Sequence, residues 1–139
     1  MDDPRSTVSL RVRGYHLDGY GHVNNARYLE FLEEGRWSFF DERPALGEVV
    51  GRGEVAFVVV NLNIDYRRAA SAGDELEIVT GLAELGSRSA RMRQDIRRAR
   101  DGKAVASADI TFVLLDVATN KAVSISGELR EALAPLVVA

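Results

Sequence analysis

Apolar and polar positions alternate with a period of two from Val8 to Arg13, where Val8, Leu10 and Val12 oppose Ser9, Arg11 and Arg13. That period belongs to a half-buried strand. It stops at Gly14, and the next segment, Tyr15 to Val23, holds Asp18, Gly19 and Gly21, a density of turn formers that predicts a loop. From Asn24 or Asn25 the spacing becomes helical: Tyr28, Leu32, Gly35 and Phe39 recur on one face, and Leu29, Phe31, Trp37 and Phe40 widen it. A helix of about four turns is predicted, with an Asn at its start as N-cap and Pro44 and Gly47 marking its end. Its broad apolar surface makes it the central helix, wrapped on several sides.

After a Gly-rich loop (Gly47, Gly51, Gly53), the chain to about residue 117 reads as strand. Val58, Val60, Leu62, Ile64 and Tyr66 alternate with Val59, Asn61, Asn63, Asp65 and Arg67. Leu76, Ile78, Thr80 and Leu82, then Ala90, Met92, Gln94 and Ile96, continue the period, interrupted at Gly73-Asp74 and Gly86-Ser87. Asp101-Gly102 predicts a hairpin turn into a long strand from Lys103 to Val117. A short sixth strand around Ala122 to Ile125 and a helical turn from Gly127 to Leu133 follow. One strand, one long helix and then four or five antiparallel strands form an α+β pattern, in which a single helix covers one face of a curved sheet.

Composition narrows the function classes. With 139 residues, 46% of them apolar, the chain suits one domain spanning 1–139. Lys and Arg number 18 against 21 Asp and Glu, a net charge of -3, which gives no field for a nucleic acid partner. The absence of cysteine removes thiolate nucleophiles and cysteine-ligated zinc. Only two histidines remain, too few for a zinc site without several carboxylates, so no metal and no cofactor are expected. No Gly-x-Ser-x-Gly elbow is present for a serine hydrolase. The start, Met1 to Ser6, carries no apolar leader, and the longest apolar runs fall far short of the roughly 20 residues of a spanning helix. The expected location is cytoplasmic, with no membrane association.

The stretch that carries chemistry is Asp18 to Tyr28, where a carboxylate, His22, Asn24 and Asn25 crowd the loop feeding an apolar helix. A helix N-terminus presents unpaired N–H groups and the positive end of the macrodipole, and so can stabilise an oxyanion. A carboxylate beside it can attack a thioester carbonyl or take a proton from water, and the residues alone do not choose between these roles. They also permit a plainer reading, with Asp18-Gly19 as a turn, Asn25 as a cap and His22 bonded to backbone.

The run Asp18-x-x-Gly21-His22-Val23-Asn24-Asn25-Ala26-x-Tyr28, with Leu29, Phe31, Glu33-Glu34 and Arg36 after it, resembles the signature of the 4-hydroxybenzoyl-CoA thioesterase family of hotdog proteins. Ile64-Asp65-Tyr66-Arg67-Arg68 and Gly73-Asp74-Glu75-Leu76 resemble its next two strands. The resemblance implies a hotdog fold, with a five- or six-stranded antiparallel sheet around the central helix. It also implies hydrolysis of an acyl-CoA, and a homodimer or homotetramer built by joining sheets edge to edge, with sites at the interface. Asp18 matches the catalytic aspartate, and the Asn25 N–H matches the donor to the thioester carbonyl. His22 matches a His-Val-Asn-Asn variant in which it shapes the loop more than it reacts. His16 departs from the acidic residue that family members often carry two positions before the aspartate.

Substrate contacts are then expected from Tyr28, Phe57, Val58 and Val59 toward the acyl group, with ordinary sheet burial as the alternative for the valines. Arg67, Arg68, Ser87 and Arg88 are expected near the coenzyme phosphates, where Arg is favoured. The basic strand of Arg91, Arg93, Arg97, Arg98 and Arg100 reads as a solvated face. Alternatives left open are hydrolysis of acyl groups on acyl carrier protein, a non-catalytic acyl-CoA-binding module, and a dehydratase of the same fold, whose usual histidine arrangement these residues do not resemble. A fold hosts many functions.

Overall fold

A computed structural model describes residues 3–138. Its strands are β1 (Ser6–Arg11), β2 (Val55–Tyr66), β3 (Glu75–Leu85), β4 (Ser89–Arg98), β5 (Ala104–Asp116) and β6 (Lys121–Ala122). Its helices are α1 (Asn25–Asp41), α2 (Pro44–Gly51) and α3 (Gly127–Leu133). The strands form one antiparallel sheet in the order β1-β3-β4-β5-β2, with β6 pairing β5. Helix α1 lies across β1, β3 and β4 on the inner face. This is the α+β hotdog arrangement expected from the sequence.

The helix forms where the loop ends because Asn24 caps it: the Asn24 side-chain oxygen accepts from the Ala26 N–H at 2.8 Å. Tyr28, Phe31, Leu32 and Phe39 then face the sheet and are buried against Leu76, Ile78, Leu82, Met92, Ile96 and Ile110. Each such side chain contributes about 1.5–3 kcal/mol relative to exposure. Gly35 lets the helix come close: a Cβ there would meet Ile78 Cγ2 at 2.6 Å, Thr80 Oγ1 at 2.8 Å and Gln94 Nε2 at 2.9 Å. Gln94, fully buried on β4, uses that approach, donating from Nε2 to Leu32 O and to Thr80 Oγ1, both at 2.8 Å.

Three details depart from the sequence reading. The first is the segment after α1, expected as a Gly-rich loop, whose residues Pro44–Gly51 form α2. Pro44 begins this helix, where its missing N–H costs nothing, and Leu46 is buried. The second is β2, which starts at Val55 and carries an irregularity between Val59 and Asn61. One extra residue reverses the alternation: Val55 and Phe57 pack on the core before it, Leu62 and Ile64 after it, and Val58, Val59 and Val60 are exposed. The expected single face of Val58, Val60 and Leu62 is therefore broken. The third is the sixth strand, which covers only Lys121–Ala122; Val123 and Ile125 continue as an irregular strap bonded to Leu114 O and Ser87 O.

The basic strand is a solvated face, as expected. On the outer surface Arg91 and Arg93 pair with Asp109, Arg93 also with Asp95, and Arg97 with Glu77. No helix among the described residues is long and apolar enough to cross a membrane.

Candidate active site

The site is assembled at the start of α1. The loop that precedes it is clasped from both sides: Asn24 N–H donates to His16 O at 2.8 Å, Val23 N–H to Ala70 O at 2.9 Å, and His22 bridges to Ser71. Asp18 sits on the exposed outer turn of this loop. Its Oδ1 accepts from the N–H groups of Tyr20 at 2.8 Å and His22 at 3.3 Å, and its own N–H donates to His22 O at 2.8 Å. Among the described residues Oδ2 has no partner, so one carboxylate oxygen is anchored and the other is free.

The cap decides which helix donor stays open. Asn24 takes the Ala26 N–H, leaving the N–H of Asn25, the first helical residue, without an acceptor among the described residues. The Asn25 carbonyl is held by the Tyr66 hydroxyl, which donates to it at 3.0 Å. Tyr28 is buried beneath the loop, its hydroxyl accepting from the Ala70 N–H at 3.2 Å and its ring set against Tyr66 at 5.5 Å. Burial pushes the Tyr28 phenol up, with the charges of Asp18 and Asp74 adding to the rise. The hydroxyl therefore stays protonated under the loop.

His16, 8% exposed, accepts at Nδ1 from the Arg13 N–H at 2.9 Å and meets Phe31 edge-on at 5.0 Å. Burial lowers its pKa, Arg27 and Arg13 lower it further, and Glu30 opposes them. The ring is a neutral strut between loop and helix. The side chain of His22 is exposed, and its backbone rather than its imidazole joins the loop's bonds. Among the described residues no cluster of histidine and carboxylate side chains is disposed to hold a metal.

The other sequence-derived candidates separate into two groups. Arg67 and Arg68 follow β2 at the same end of the sheet as Asn25, both exposed; Arg67 reaches Ser107 Oγ at 3.3 Å and Arg68 the Ala104 carbonyl at 2.9 Å. Ser87 and Arg88 lie in the β3–β4 turn, exposed, at the opposite end. Tyr66 pairs with Ala106 and Ser89 with Val113, and the seven residue steps of β5 from Ala106 to Val113 span about 24 Å. One chain does not bring Arg88 to Asp18. Phe57 lies inward, 6.1 Å from Phe112 and 6.2 Å from Phe40, while Val58 and Val59 stay exposed on the edge strand. Sequence reasoning expected an Asn cap without choosing between Asn24 and Asn25, and passed over Tyr66 as a site residue and the clasp at Ala70–Asp74. The one signal for the clasp was its turn, where Asp74 Oδ2 accepts from the Ser71 N–H.

The chain that carries this loop and helix start belongs to the thioesterase-like superfamily, which matches residues 12–133. It is 48% identical over 130 residues to the long-chain acyl-CoA thioesterase FadM of Escherichia coli, covering 94% of this chain and 98% of that protein. It is 30% identical to the acyl-CoA thioesterase YbgC of Haemophilus influenzae, covering 89% and 92% of the two chains. Among solved structures, YbaW, a probable thioesterase from Escherichia coli, superposes with a TM-score of 0.81 at 46% identity, covering 95% of this chain and 98% of that one. A 1,4-dihydroxy-2-naphthoyl-CoA thioesterase from Synechocystis, 20% identical, shares the fold with a TM-score of 0.83 over 95% and 97%.

Proposed function

We propose that this protein hydrolyses acyl-CoA thioesters to the free acid and CoA, with Asp18 as the reacting carboxylate and the Asn25 N–H as the oxyanion donor. The observation that carries this reading is the pairing of an anchored Asp18 Oδ1 with a free Oδ2, beside a helix whose cap leaves the Asn25 N–H open. The thioester carbonyl oxygen accepts from Asn25 N–H as negative charge builds on it, aided by the α1 dipole. Oδ2 either takes a proton from the water that attacks the carbonyl carbon, or attacks that carbon itself to give a mixed anhydride that water then opens. In both routes the C–S bond breaks and the thiolate leaves as CoA. Tyr66 acts by holding the Asn25 peptide, and buried Tyr28 by supporting the loop.

The complete site is shared between two copies. Strand β2 is twelve residues long and its outer edge is unpaired, with Val58, Val59 and Val60 exposed along it. Antiparallel pairing of two β2 edges about a twofold axis carries the second copy's β3–β4 turn toward the first copy's Arg67 and Asn25. Arg67 and Arg68 of one chain and Ser87-Arg88 of the other then flank one CoA, which accounts for their separation within a chain.

The test measures CoA release from short, medium, long and aromatic acyl-CoAs by the wild type and Asp18→Asn, both confirmed folded. Loss of at least about a hundredfold in kcat is expected for the variant. Mixing inactive Asp18→Asn with inactive Arg88→Glu should restore partial activity through hybrid dimers that keep one intact site. Equal turnover by wild type and Asp18→Asn would falsify the assignment of the carboxylate. Failure of hybrids to form active sites would remove the shared-site arrangement alone.

A further inference from the structure

The loop before α1 is a short hairpin. Residues 16–18 run antiparallel to residues 22–24: Asp18 N–H donates to His22 O at 2.8 Å, Leu17 bridges to Val23, and Asn24 N–H donates to His16 O at 2.8 Å. Asp18 stands at the tip. The cap Asn24 stands at the base, next to the open Asn25 N–H, and His16 is the residue opposite it.

His16 ties that base to the sheet. Just past β1, Val12 N–H donates to Asp74 O and Val12 O accepts from Gly73 N–H, both at 2.9 Å, so the chain entering the loop is fixed. One residue on, Arg13 and His16 are bonded twice: His16 N–H donates to Arg13 O at 3.0 Å, and Arg13 N–H donates to His16 Nδ1 at 2.9 Å. The ring is buried between Tyr15, 4.2 Å away, and Phe31 of α1, 5.0 Å away. With Nδ1 as acceptor, the one ring proton sits on Nε2. A second proton, from solvent, has to enter at Nδ1 against the Arg13 N–H, and that bond is then lost. Arg11 and Arg13 from the β1 side, the Tyr15 phenol, and Arg27, Glu30 and Glu34 of α1 face the same cleft, with Arg11 paired to Glu75 and Arg27 to Glu30. Burial and Arg27 hold the ring neutral, Glu30 opposes them, and Arg13 adds to the lowering.

We propose that His16 is a positioning residue for the hydrolysis: its neutral ring holds the hairpin base so that Asp18 and the Asn25 N–H keep their relative placement, and a proton taken up at Nδ1 releases that base. This rests on the thioesterase reading of the Asn25 site. His16 touches no reacting atom; it acts through the Asn24 peptide that it bonds. The consequence is an acid limit on turnover that belongs to His16. Its folded pKa lies below the ordinary 6.5, so turnover is complete above about pH 6.5 and falls as the pH drops through the lower, folded value, about tenfold per pH unit once the protonated ring dominates.

The experiment measures kcat and KM for dodecanoyl-CoA from about pH 4 to pH 8 in wild type, His16→Asn and His16→Leu, with circular dichroism confirming the fold at each pH. Asparagine offers a side-chain oxygen as acceptor near the Nδ1 position and does not titrate; leucine fills the space with no acceptor. Wild type should lose kcat on the acid side with KM little changed. His16→Asn should keep most of the neutral rate, with that limb moved down by at least about one pH unit, and His16→Leu should be slower by about tenfold or more throughout. The chain holds two histidines, so NMR can follow the His16 ring in wild type without any variant, and its titration midpoint should coincide with that of kcat. An acid limb unmoved in folded His16→Asn, a full neutral rate in His16→Leu, or midpoints more than about half a pH unit apart would overturn the inference and leave the thioesterase reading standing. Cleavage of no acyl-CoA by wild type would overturn both.

Discussion

Replacing the cap Asn24 by Asp separates catalysis from stability by sign. The Asn24 oxygen sits 2.8 Å from the Ala26 N–H, next to the open Asn25 donor. A carboxylate in its place still caps, and its charge complements the helix dipole, raising stability by about 0.3–1 kcal/mol. The same charge lies about 5 Å from an oxyanion bound at Asn25, where Coulomb repulsion is about 3 kcal/mol at an effective dielectric of 20 and about 0.8 at that of water. Asn24 is exposed, so the lower half of that range applies, about 1 to 2 kcal/mol, or a five- to thirtyfold fall in kcat/KM. Urea unfolding and CoA-release kinetics on the same preparation measure both quantities. Added salt should recover part of the lost rate, since screening acts over about 8 Å at physiological strength. Asn24→Ala should instead lose about 1 kcal/mol of stability with the cap. A stable Asn24→Asp enzyme with undiminished kcat/KM would refute the claim that negative charge develops at this helix end.

Two further outcomes follow from the packing. Gly35→Val should destabilise the fold by about 1–3 kcal/mol or more, because Ile78, Thr80 and Gln94 occupy the space of a Cβ, whereas Gly47→Ala, whose Cβ would lie 3.8 Å from Phe40 O, should be neutral or slightly stabilising in urea; equal effects would contradict the close approach of α1. His16, held neutral by burial and by Arg27, has a folded pKa below its unfolded one, so its contribution is complete above about pH 6.5 and is lost as pH falls below it. Stability measured between pH 7 and 5 should therefore decline in wild type more steeply than in His16→Gln, and parallel curves would remove His16 as the cause.

The strands that were legible are those where two signals coincide. Strand β5 was expected from Lys103 to Val117 and runs Ala104–Asp116, because alternation is bounded by the Asp101-Gly102 turn, with Gly102 at φ 68°. The start of α1 was legible for the same reason, a cap residue meeting a change of period, though only the structure separates Asn24 as cap from Asn25 as open donor. The irregularity in β2 was hidden because three consecutive valines carry no parity, so a reversed alternation leaves no mark in the sequence. Pro44 was read as a stop, yet proline is equally suited to a first helical turn, and nothing local distinguishes the two. Gln94 was one polar residue in an apolar series, a visible anomaly whose meaning required knowing that Gly35 and Arg36 lie opposite. Arg88 and Asp18 belong to opposite ends of one sheet, a separation that their positions in the linear sequence do not convey.

The edge strand links these observations mechanically. An unpaired twelve-residue strand with three exposed valines is an association hazard unless a defined partner covers it. The same strand ends in Tyr66, whose hydroxyl fixes the Asn25 peptide, and in Arg67-Arg68 beside it. Whatever covers the β2 edge therefore bears on the position of a residue bonded to the proposed oxyanion donor, and in the proposed shared site assembly and catalysis are coupled through one element. The irregularity at Val60 serves both ends of that strand: before it Phe57 points inward against Phe40 and Phe112, and after it Leu62 and Ile64 turn inward to pack on the core. Without the extra residue, one of these two sets would face outward, and the core under β2 would lose either Phe57 or the Leu62–Ile64 pair.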